Sequence, residues 1–145
     1  MPHASPEPRV LLACTQEAEE VLRRALYPLE AVLIPVHDIP GALREVESGI
    51  DLVVCTLLFD ESRMLDLAAR LARIQPHIPF VCCRILSDLP VHTLEAAFAA
   101  AGYVGAVATV DMPHTAHGAE LARAEELLCG AVLRHLHDVG HASMS

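Results

Sequence analysis

Hydrophobic residues along the chain fall into two alternating patterns. Short continuous apolar runs lie at 10–14, 31–36, 51–58, 80–86 and 103–110, and each is followed by apolar positions at helical spacing. After the first run the stripe is Ala18, Val21, Leu22, Ala25 and Leu26, with Thr15 as a helix N-cap, Glu17, Glu19 and Glu20 near the positive end of the dipole, and Pro28 as the stop. After the second, Asp38 and Pro40 open a short helix carrying Ala42, Leu43 and Val46, which ends at Gly49. The third gives way to Met64, Leu67, Ala68, Leu71 and Ile74. Asp88 and Pro90 follow the fourth and introduce Leu94, Ala97, Phe98 and Ala101, closed by Gly102. A last helix is predicted over about 117–137.

Strands buried on both faces read as unbroken apolar runs, and strands alternating with helices form a parallel sheet. Right-handed crossovers turn this order into a three-layer, doubly wound α/β domain. Its functional crevice lies outside the carboxyl ends of the strands. Three prolines in residues 1–8 mark a disordered lead-in, so the boundaries expected are 1–8, a domain over 9–138 and a tail over 139–145.

Composition narrows the chemistry. The chain has 145 residues, 53% hydrophobic, with a formal charge of −9. A chain so acidic repels nucleic-acid backbone and anionic lipid, so no direct nucleic-acid partner and no membrane are expected. No apolar run reaches the roughly 18–20 residues of a membrane span, and the N-terminus lacks the basic start of an export signal. All ten basic residues are arginine. Without lysine there is no Schiff base and no phosphate-binding loop of the Gly-Lys-Ser/Thr kind. Gly-x-Ser-x-Gly and Gly-x-Gly-x-x-Gly are also missing, so no enzyme activity is expected and no cofactor is implied. Five cysteines, an odd number set mostly in apolar runs, point to a reducing cytoplasm.

The element lengths resemble those of response-regulator receiver domains, which have the flavodoxin-like fold with strand order 2-1-3-4-5. The likeness runs from about Arg9 to His137. It rests on Arg9-Val-Leu-Leu-Ala as the first strand, Asp51-Leu-Val-Val-Cys-Thr as the third, Ile78-Pro-Phe-Val-Cys-Cys as the fourth, and Ala101-Gly after the fourth helix. The resemblance implies a two-component signalling module, and it also exposes departures. Where the family carries the acid pair that holds Mg²⁺, this chain has Cys14, Thr15 and Gln16. The phosphoacceptor aspartate falls on Thr56, the switch hydroxyl on Arg84, and the lysine before a proline on Met112. Magnesium needs hard carboxylate oxygens, and acyl-phosphate chemistry needs the metal. The chain therefore reads as a degenerate pseudo-receiver that acts through a protein partner or as a homodimer.

Candidate sites follow. The alternative function is a ligand, metal or redox sensor at the crevice, using Cys14, Cys55, Thr56 and Arg84. The thiols at Cys14, Cys55, Cys82 and Cys83 could serve it, or could simply be small buried hydrophobes. Cys82 and Cys83 are adjacent on a strand, so they point to opposite faces and cannot share one site. Arg84 could bind an anion or pair with Asp60 or Asp111. His114, His117, His135, His137 and His141 have spacings that suit a metal only if a helix end frays, so no metal is assigned. In receivers the fourth helix, fifth strand and fifth helix form the usual association face. That places an interaction face on Ala97, Phe98, Leu121, Leu128 and Val132.

Overall fold

The computed structural model describes residues 7–84, 91–111 and 118–144, with residues 91–92 and 137–144 described by backbone alone. Among the described residues five strands alternate with five helices of ten residues or more, a short turn at Phe59–Ser62 aside: β1 (Arg9–Ala13), α1 (Gln16–Leu26), β2 (Val32–Val36), α2 (Ile39–Ser48), β3 (Leu52–Thr56), α3 (Met64–Ile74), β4 (Phe80–Arg84), α4 (Val91–Ala100), β5 (Val107–Asp111) and α5 (Gly118–Met144). All pairings are parallel and the order is β2-β1-β3-β4-β5. The flavodoxin-like arrangement read from the sequence is therefore the observed one.

Side-chain alternation along the strands divides the core into two layers. Leu11, Ala13, Val53, Cys55, Phe80 and Cys82 face α2, α3 and α4, where Ala42, Val46, Leu67, Leu71, Leu94 and Phe98 meet them. Val10, Leu12, Leu52, Val54, Val81 and Cys83 face α1 and α5, against Leu22, Leu26, Leu128 and Val132. Truncating one such leucine to alanine costs about 2–5 kcal/mol, because the cavity left behind adds to the lost burial.

Local chemistry sets the helix ends. Thr15 Oγ1 accepts from the Ala18 amide at 3.2 Å and starts α1. Asp38 Oδ1 accepts from the Gly41 amide at 2.7 Å and starts α2. Gly49 closes α2 at φ 106°, a conformation that favours glycine, and donates its amide to Val46. Before β5 the chain passes so close to the β3–β4 side that a Cβ on Gly105 would lie 2.6 Å from the Ile78 carbonyl oxygen.

The structure shifts several predicted boundaries. The third apolar run stops being strand at Thr56. Beyond it Phe59 is buried, and Asp60, Glu61 and Ser62 adopt left-handed backbone at φ 46°, 56° and 65°. Asp60 Oδ2 accepts from the Ile39 amide at 2.9 Å, which ties this turn to the start of α2. The fifth run is strand only from Val107. Tyr103 instead packs its ring edge-on against both Phe80 and Phe98, which also touch each other, and donates its hydroxyl to the Ile78 carbonyl. Val21 and Ile74, expected on buried stripes, are exposed. α5 continues to Met144, through most of the expected tail. The lead-in at 1–6 lies outside the described residues.

Candidate functional site

The strand register sets what meets at the carboxyl end of the sheet. Ala13 pairs with Cys55 and Thr56 with Cys83, so Cys14, Thr56 and Cys83 stand at one level across β1, β3 and β4. Alternation turns all three toward α1 and α5. Cys14 is fully buried, and its amide extends the ladder by donating to the Val36 carbonyl at 3.1 Å. Thr56 is 2% exposed, and its Oγ1 has no hydrogen-bond partner among the described residues. A buried hydroxyl normally finds one, so this seam carries an uncompensated polar atom.

Cys55 and Cys82 stand side by side on the opposite face, where the Cys82 thiol meets Met64 Sδ at 3.3 Å. The sheet thus splits the four thiols into two pairs, and they do not converge on one site. Burial pushes the Cys14 and Cys82 thiols up to about 12, Glu19 adding for Cys14 and Arg23 opposing; for Cys82, Arg84 opposes and Asp111 adds. Cys55 and Cys83 are pushed up by burial as well, with neighbouring thiols adding. Thiolate is the reactive form, so these positions hold back nucleophilic and redox chemistry.

At the end of β4 and β5 the chemistry is ionic. Arg84 stands in register with Asp111 and donates through Nε at 2.5 Å and through the guanidinium Nη2 at 2.9 Å to its two carboxylate oxygens. That two-pronged bond holds the guanidinium above its ordinary value. Of the two carboxylates the sequence offered to Arg84, Asp111 takes it, while Asp60 is spent on Ile39. Thr15 caps α1 and Gln16 begins it, exposed. Met112 lies outside the described residues, as do His114 and His117, together with the side chains of His137 and His141. His135 is partly buried, with Nδ1 unpartnered.

Sequence reasoning missed one cluster at this end. Glu19 accepts from Arg23 at 3.1 Å and shares a hydrogen bond with His37 Nε2 at 2.8 Å, contacts that hold its carboxyl below the usual value. The four-residue spacing of Glu19 and Arg23 was a legible signal. His37 joins them only because β2 ends beside α1. Among the described residues, no three His, Cys, Asp or Glu side chains gather closely enough to hold a metal ion.

The expected interaction face is corrected in part. Phe98, Leu128 and Val132 are buried at 2% exposure or less, each packed on the sheet. Ala97 and Leu121 are only half-buried. The outward side of α5 instead carries Leu127 and Leu133, both more than half exposed.

Solved structures share this architecture. A signal receiver domain of an HD domain-containing protein from Pseudomonas fluorescens Pf-5 superposes with a TM-score of 0.72 at 18% identity, covering 99% of this chain and 97% of that one. The fold is the receiver fold. A response regulator receiver domain protein (CheY-like) from Methanospirillum hungatei JF-1 gives 0.67 at 9% identity, over 94% and 98% of the two chains. A response regulator from Thermotoga maritima gives 0.65 at 16% identity, over 90% and 98%. No family model and no curated protein matches the sequence. Among the described residues, no helix is long and apolar enough to cross a membrane.

Proposed function

We propose that this chain is a regulatory module on the receiver fold that works by protein–protein association and is not phosphorylated at the crevice. The observation that carries the reading is the seam at the ends of β1 and β3. Cys14 and Thr56 stand there, both buried, and the Thr56 hydroxyl has no partner among the described residues. Magnesium binding requires several carboxylate or water oxygens around the ion. Three of the described carboxylates at this end are otherwise engaged: Glu19 with Arg23 and His37, Asp60 with Ile39, and Asp111 with Arg84. Without the ion, phosphoryl transfer to a side chain here lacks its main source of charge neutralisation.

The thiol-sensor alternative is weakened by the same burial, which pushes all four core cysteines up, away from the reactive thiolate. Incubation with acetyl phosphate and Mg²⁺, followed by intact-mass and peptide mass spectrometry, tests the proposal. No stoichiometric phosphoryl adduct is expected. Labelling of one specific aspartate would overturn it.

A further inference from the structure

We infer that Cys55, Cys82 and Met64 form a binding site for a soft monovalent cation, copper(I), beneath the turn that joins β3 to α3. Cys55 and Cys82 are register partners on neighbouring parallel strands, with backbones about 4.8 Å apart and side chains on the same face of the sheet. Met64 opens α3 and brings its Sδ to 3.3 Å from the Cys82 Sγ. All three side chains are buried at 1% exposure or less. Sulfurs from β3, β4 and α3 thus meet in one place, on the face of the sheet away from Cys14 and Thr56.

The donor set selects the ion. Thiolate and thioether sulfur favour copper(I), whereas magnesium, calcium and manganese take oxygen. Zinc asks for four donors in a tetrahedron. The third donor here is a thioether, and the same core cluster adds hydrocarbon such as Phe59, Leu67 and Phe80, which offers no fourth. Charge agrees with that choice. One thiolate neutralises a monovalent ion, so the occupied site adds no net charge to an apolar layer. Cys55 or Cys82 releases its proton to solvent as the sulfur–copper bond forms. The other thiol and the thioether bind as neutral donors, and copper stays monovalent throughout. Burial pushes both thiols up, so that proton leaves in exchange for the cation. Metal–sulfur bonds of about 2.3 Å around a trigonal ion set the sulfurs about 4 Å apart, so the 3.3 Å contact has only to widen by about 0.7 Å.

The turn supplies a route. Asp60, Glu61 and Ser62 hold three consecutive left-handed conformations with no glycine among them, a backbone that such residues disfavour. Leu58 is 53% exposed, so the cover is thin, and Asp60 fastens it to α2 through the Ile39 amide. A turn so strained opens more readily than the helices beside it. A bare ion also needs a narrower gap than an alkylating reagent.

Anaerobic titration of the full chain with copper(I), in competition with the chromophoric chelator bathocuproine disulfonate, tests the site. One ion per chain is expected to stay with the protein, with at least one proton released to an indicator dye. Copper K-edge absorption should show three sulfurs at about 2.3 Å and no nitrogen or oxygen. Cys82→Ala should abolish retention, and Met64→Leu, which keeps the volume, should weaken it roughly tenfold or more. Cys14→Ala and Cys129→Ser should leave it unchanged. Circular dichroism checks that each variant is folded. Should a core variant unfold, selenomethionine-labelled parent protein decides the matter through copper–selenium scattering. No retained copper, nitrogen or oxygen in the shell, retention indifferent to Met64→Leu, or loss of the ion with Cys14→Ala or Cys129→Ser would overturn the inference. None of these readouts involves phosphorylation or association, so the proposed module and this site fail separately.

Discussion

Thr56 and Arg84 end neighbouring strands, yet their surroundings are opposite. Thr56 is sealed between Cys14 and Cys83 with no partner among the described residues for its hydroxyl. Arg84 reaches a carboxylate that is itself 65% exposed at the rim. The central strands are covered on both faces, so a charge at their ends would have to leave water almost completely. The β4–β5 ends lie beside solvent, where a guanidinium and a carboxylate can stay partly hydrated while they bond. At this edge polarity sits where hydration makes it inexpensive and is sparse in the middle. A crevice built that way suits a scaffold better than a reaction centre.

The sharpest way to break this contrast is to ask whether the central seam is dry. With Cys14 and Cys82 raised from an ordinary 9.0 to about 12, each holds about a thousandfold less thiolate below pH 9 than an exposed cysteine. Alkylation of the native protein at pH 8, followed by peptide mass spectrometry, should therefore modify Cys129 first. The four core thiols should react only on unfolding. Rapid labelling of Cys14 would show that the crevice admits solvent.

Substitution at Thr56 probes the same seam by stability. Thr56→Asp puts an unpaired carboxylate into it and should cost about 3–5 kcal/mol at pH 7. Burial raises the folded-state value of such a carboxyl above its unfolded one. The penalty is therefore absent below the ordinary carboxylate range and grows as pH rises through it toward the folded value. Urea titrations at pH 4 and pH 7 read this directly, and equal stability to the parent at pH 7 would refute a sealed seam. Thr56→Val removes the orphan hydroxyl and should leave stability unchanged or raise it by up to about 1 kcal/mol.

The fold was largely legible because parallel strands buried on both faces leave continuous apolar runs, and capping residues such as Thr15 and Asp38 mark where helices begin. The errors share a cause: an apolar run says that residues are buried, without saying in which conformation. Tyr103 is apolar and buried like a strand residue, but the approach of Gly105 to Ile78 keeps that stretch a turn. Leu57 and Leu58 continue the third run after the ladder has ended. Periodicity likewise finds the apolar stripes of α4 and α5 and cannot say which one meets the sheet. Phe98, Leu128 and Val132 face inward, and the exposed leucines sit elsewhere. At the site, the split of Cys82 from Cys83 follows from strand alternation alone. The choice of Asp111 for Arg84 needed the β4–β5 register, a long-range fact that no local pattern carries.

The smallest expected effect belongs to the ionic side. Asp111→Asn keeps the shape of the contact with Arg84 and removes its charge. The carboxylate is mostly exposed, so water screens the pair and much of its Coulomb attraction is already offset by hydration. A loss of about 1 kcal/mol or less follows for a pair of this exposure. Salt supplies the sharper readout. The Debye length shrinks from about 10 Å at 0.1 M to about 3 Å at 1 M, so the gap between parent and variant should narrow across that range. The Thr56→Asp deficit, set by burial, should persist through the same series. A salt response at Thr56 equal to that at Asp111 would mean that both ends of the crevice are wet, and the contrast between central and outer strands would fall.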